Sequence, residues 1–155
     1  MANINTVLQD FLTQQGIDDL AAEYIKNSDS YYQYNKNKVV LGGLTNKLAD
    51  DLFMDYCKEL GLTVPMHVEA MSFLHEVGHH MTLDFLDEDE LFESTMIKLS
   101  VCVKEEDEYT EEDYRTYMTC AVEYEATWDA VKFCNACPEV ALKLDNDILN
   151  ALYGA

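Results

Sequence analysis

Apolar positions recur every three or four residues over most of this chain, and the helical period is unbroken by strand-like alternation after Thr45. Ahead of it, from about Thr6 to Lys26, the apolar set is Val7, Leu8, Phe11, Leu12, Leu20, Ala21, Tyr24 and Ile25. Its interruption near Gly16 predicts one broken helix or two short ones. Ser30-Tyr-Tyr-Gln-Tyr, Asn35-Lys-Asn-Lys and Val39-Val-Leu-Gly-Gly-Leu come next. Aromatic and β-branched runs around an Asn-rich turn predict a β-hairpin, the one convincing strand signal.

Helical segments follow at about Asn46 to Leu60, closed by Gly61 in a C-cap position, and from after Pro65 to about Phe85. A third, at about Glu88 to Lys104, is led by acidic residues that suit the positive end of a helix. A fourth runs from Thr110 to about Cys134, and a fifth from after Pro138 to about Tyr153. The expected fold class is therefore α+β and mostly helical, with a small hairpin or sheet ahead of the long central helices. No repeat and no Pro/Ser-rich linker divides the chain, so residues 1–155 are expected to form a single domain.

Composition narrows the function classes. Hydrophobic residues make up 48% and charged residues 26%, a globular balance in a chain long enough to bury a core without disulfides. Thirty acidic against ten basic residues leave a net charge of -20. Such a chain repels phosphate backbones and anionic lipid, so neither direct nucleic-acid binding nor membrane binding is expected. The charge serves solubility, or else a basic partner or mimicry of nucleic acid. Met-Ala-Asn-Ile-Asn-Thr has no signal-peptide character, and five cysteines in helical sequence suit reduced thiols, so a cytoplasmic location is expected. Cys134-Asn-Ala-Cys137 lacks the second pair a structural metal site needs and is expected to pack at a helix end.

The chemistry concentrates at His75-Glu76-Val77-Gly78-His79, an HExxH pattern inside the second of those helices. Spacing by four stacks the two imidazoles on one helical face, where both reach one ion, and sets Glu76 about 100° away, within range of a metal-bound water. Gly78 costs roughly 1 kcal/mol in a helix interior, which implies that something approaches closely there. A third ligand is needed. Projected as one helix, the fourth segment puts Glu123 in an arc of small residues: Thr116, Thr119, Cys120, Ala126, Thr127, Ala130 and Cys134. Glu125, the other available carboxylate, points nearly opposite. An arc this small could dock on Gly78, and a carboxylate buried there needs a positive partner. Thr127, one turn on, is placed to hydrogen-bond a ligand imidazole. His80 falls on another face and is expected to meet solvent.

His75-Glu-Val-Gly-His79 followed by Glu123-Tyr-Glu-Ala-Thr127 resembles the gluzincin arrangement of zincin-like HExxH metallopeptidases, including the small ImmA/IrrE-type enzymes of phages and bacteria. The resemblance implies a compact zincin-like domain, one Zn²⁺ on His75, His79 and Glu123, and Glu76 as the general base that activates a metal-bound water against a peptide bond. It departs at Thr127, where the family pattern has Asp or Asn. No motif marks the group that steadies the oxyanion; Tyr109, Tyr114 and Tyr117, near the ligand helix in sequence, are the candidates. A strand at about Lys38 to Leu44 is expected to bind an extended peptide or protein substrate by its edge. The competing expectations are a non-enzymatic acidic protein that binds a basic partner, and a metal-bound pseudo-enzyme with too little room for a substrate. Nothing in the sequence sets an oligomeric state.

Overall fold

The computed structural model of the chain describes residues 2–154. Asn3 opens α1 (Ile4–Gln14) by accepting from the Asn5 amide, and Leu8, Phe11 and Leu12 form its buried face. The chain then turns at Gly16 and enters β1 (Ala21–Ile25), a segment whose apolar spacing had predicted helix. Five residues are too few for period alone to separate the two states. What decides is a partner: β1 pairs in parallel with β3 (Lys38–Gly42), Ala22 against Val39 and Tyr24 against Leu41.

The expected hairpin is present. β2 (Tyr31–Gln33) runs antiparallel to β3, and Asn37 closes the turn between them at φ 45, a left-handed conformation that Asn tolerates better than most residues. The strand order β1-β3-β2 corrects one expectation, because the strand at Lys38 to Gly42 lies in the middle of the sheet and has no free edge. The short β2 is the edge nearest α3 (Val68–Thr82).

α2 (Lys47–Glu59), α4 (Glu88–Cys102) and α7 (Pro138–Tyr153) match the expected segments within two or three residues. Asn46 caps α2 through the Ala49 amide, and Gly61 follows its end at φ 100. The segment from Thr110 to Cys134 is not one helix. It breaks at Cys120, whose backbone is extended (ψ 154), into α5 (Glu111–Thr119) and α6 (Ala121–Ala136). Thr116 and Thr119 therefore leave the small-residue arc and are exposed, whereas Ala126, Thr127, Ala130 and Cys134 are buried as expected.

α3 runs through the core, with Ala70, Met71, Phe73, Leu74 and Val77 buried against β3, α6 and α7. Phe73 meets Phe11 edge-on at 6.0 Å between ring centroids, tying α1 to the same core. The start of α3 is fixed from α7: the buried Asp145 accepts from the His67 amide at 2.8 Å and lies 2.7 Å from its Nδ1. No described helix is long and apolar enough to cross a membrane.

Candidate metal centre

α3 and α6 approach closely at Gly78. A Cβ built there would lie 2.3 Å from the Ala126 carbonyl oxygen and 3.0 Å from its Cα, so no residue with a side chain fits without separating the helices. This contact sets the carboxylate of Glu123 against His75, three residues before Gly78, and His79, the residue after it. His75 Nε2 lies 3.0 Å from Glu123 Oε1, and His79 Nε2 lies 3.2 Å from Oε2. One nitrogen from each histidine and one oxygen from Glu123 fall within 4.8 Å of one another, a set of donors that could hold a metal ion. Glu125 is outside it.

The break at Cys120 contributes. It puts Glu123 in the first turn of α6, where the helix dipole favours an anion. Cys120 gives no side-chain cap to that turn, and Ser94 of α4 serves instead, its hydroxyl accepting from the Val122 amide at 3.2 Å.

Hydrogen bonding around His75 fixes which of its ring nitrogens faces Glu123. Thr127 Oγ1 donates to the Glu123 carbonyl one turn back at 3.0 Å, so toward His75 it can only accept. His75 Nδ1, 2.9 Å away, must carry the proton it accepts. Nε2 is then free to present a lone pair, and it faces a carboxylate oxygen. Two acceptors 3.0 Å apart repel unless a metal ion or a second proton lies between them. Glu123 is only 5% exposed, and its buried Oε2 is met by ion pairs, from His79 and from Lys98 of α4. A buried carboxylate set against two imidazole nitrogens is a donor arrangement that could hold a divalent cation.

The charges respond accordingly. Burial raises the Glu123 carboxyl, but hydrogen bonds and charge from His75 and His79 outweigh it and hold the group well below its ordinary range. For His75, burial disfavours the cation, and the hydrogen bond to Glu123 reverses the balance upward. Glu76, 3.9 Å from His79 Nε2, is raised by burial against the pull of both histidines.

One participant escaped the sequence reading. Lys98 of α4 puts Nζ 2.6 Å from Glu123 Oε2 and 5.2 Å from the centroid of the Tyr117 ring. It has no motif, and only the packing of α4 on α6 brings it here. The one available signal was composition, since an isolated Lys on a helix with four acidic residues is unusual in a chain with ten basic residues in all.

Glu76, His79, Glu123 and Lys98 open into a cleft of about 690 Å³, bounded by Tyr31, Tyr32 and Tyr34 at the β2 edge and by Leu86 and Leu91 opposite. Its volume falls in the range of ligand clefts. Tyr117 lines the cleft, whereas Tyr109 and Tyr114 line a neighbouring hollow of about 980 Å³ that none of the metal donors reaches. His80 corrects a further expectation. It is largely covered, with Nδ1 2.9 Å from the Tyr32 hydroxyl and Nε2 3.1 Å from Asp19, and so ties the β2 edge to α3. All five cysteines are free; Cys134 is buried with its Sγ 3.7 Å from Met71 Sδ, and Cys137 is exposed at the end of α6. A scan against protein-family models finds no match for the chain, and neither the curated proteins nor the solved structures contain one.

Proposed function

We propose that the chain is a zinc-dependent peptidase of the zincin-like, HExxH type, with His75, His79 and Glu123 holding the metal. The observation that carries this reading is the convergence of the three donors from two helices with a carboxyl, Glu76, beside them at the head of a cleft. Two neutral imidazoles and a carboxylate suit zinc and leave a coordination position for water. Bound zinc would lower the pKa of that water to about 7 and polarise a carbonyl.

The chain's own residues supply the rest. Glu76 takes the proton from the attacking water and returns it to the leaving amine; its raised pKa suits a group that must do both. Lys98, 29% exposed on the cleft wall, supplies the positive charge that steadies the developing oxyanion, the role for which the sequence offered no motif. Thr127 holds His75 in the tautomer that turns Nε2 to the metal. A peptide lies extended along β2, whose Tyr31 and Tyr32 face the cleft.

The test pairs metal analysis with a quenched-peptide library. Wild-type protein should carry about one zinc per chain and cleave peptides. Glu76→Gln should keep the zinc and lose cleavage; Glu123→Ala should lose the zinc. Unchanged metal content in Glu123→Ala, or full activity in Glu76→Gln, overturns the assignment.

A further inference from the structure

α4 has two apolar faces, and the described residues cover only one. Val101 is buried on the inner side, with Leu91 and Ile97 half-buried beside it. On the outer side stand Phe92, Met96, Leu99 and Val103, which are 68%, 51%, 55% and 82% exposed. Steps of four, three and four residues bring these side chains within about 60° of helical arc, a continuous stripe over three turns. Single exposed apolar residues are ordinary on a protein surface, but a contiguous row at the period of a helix marks a contact face.

The border of the stripe indicates what covers it. Asp89 and Glu93 flank it on one side and Glu88 on the other; all three are exposed and none is paired with a cation of the described residues. Glu88 and Asp89 also favour the helix N-terminus, but Glu93 lies beyond the first turn and has no such role. The only basic residue of α4, Lys98, is turned inward to Glu123, and Lys104 just past its end is held by Asp113. The rim is thus uncompensated negative charge. A second copy of a chain with a net charge of -20 would set rim against rim, and an anionic bilayer would be repelled likewise.

We propose that the outer face of α4 is a docking site for a basic amphipathic helix of a protein partner, its apolar side chains meeting Phe92, Met96, Leu99 and Val103 and its Lys and Arg residues meeting Glu88, Asp89 and Glu93. Such helices bind apolar stripes through anchors at spacings of three, four and seven. The site is independent of the metal centre, since none of these residues lines the cleft.

The probe is a fluorescent leucine-lysine helical peptide of about 18 residues, long enough to span the three turns. It should bind one to one and weaken as salt rises and screens the rim. Phe92→Asp and Leu99→Asp, with far-UV circular dichroism unchanged, should each weaken binding at least about tenfold, the loss expected of a central anchor. A lysine-serine peptide of equal charge and a leucine-glutamate peptide with the same apolar face should both fail. Equal binding by either control peptide, equal binding by both variants, or no saturable binding overturns the proposal. So does a wild-type dimer in sedimentation that Leu99→Asp converts to monomer, which would assign the stripe to a second copy.

Discussion

Gly78→Ala sets two effects of opposite sign against each other. In an exposed helix the exchange stabilises by about 1 kcal/mol, because Ala is the better helix former. Here the added methyl would stand 2.3 Å from the Ala126 carbonyl oxygen, and a carbon-oxygen contact ordinarily needs about 3.3 Å. The difference is about 1 Å, and the obstacle is backbone, so only a shift of α3 against α6 relieves it. Overpacking of this kind costs about 1–3 kcal/mol, with the upper half of that range expected when no side chain can swing away. The net is a loss of about 1–2 kcal/mol, or about 2–8 °C in Tm for a chain of this length. The effect on the metal should be larger still. His75 and His79 move with α3 and Glu123 with α6, and metal-ligand distances tolerate only about 0.2 Å. Competition against a chromophoric chelator should therefore show zinc affinity down by at least about tenfold, the least expected when ligand placement is disturbed. A variant that melts higher than wild type and binds zinc equally well would show that the close approach does not position the site.

Thr127→Val keeps the shape of the side chain but removes the acceptor for His75 Nδ1. Zinc affinity should fall about 10- to 100-fold, and an unchanged affinity would remove Thr127 from the assembly of the centre. Lys98→Met should retain one zinc per chain while turnover on the best library peptide falls about 100- to 1000-fold with KM little changed. Loss of zinc instead would make Lys98 a support for Glu123 rather than for the oxyanion. Burial pushes the Cys57 and Cys134 thiols up to about 12, so both remain protonated at pH 8, whereas Cys102 and Cys137 are exposed. Native protein treated with iodoacetamide at pH 8 should therefore take up label at Cys102 and Cys137 and leave Cys57 and Cys134 unmodified until denaturant is added; peptide mapping that finds Cys57 labelled early would contradict this burial.

The sequence determined what depends on local period and local chemistry. Long amphipathic helices, the Asn-rich turn between β2 and β3, the helix stop at Gly61, and the pairing of His75 with His79 follow from spacing along one element. It also favoured Glu123 over Glu125, because the part of the small-residue arc that survives the break at Cys120, Ala126 to Cys134, is enough to mark a buried face.

Tertiary structure decided the rest. Ala21–Ile25 became a strand because β3 offered it a parallel partner, a pairing no five-residue pattern encodes. The break at Cys120 is carried by an extended backbone at one residue and by Ser94 of α4 reaching the otherwise uncapped start of α6, and neither leaves a trace in the apolar period. Lys98 reaches Glu123, and His80 bridges Tyr32 and Asp19, only because elements far apart in the chain pack together. Periodicity reports which face of an element is buried; which charge it meets there is set by the docking of whole helices.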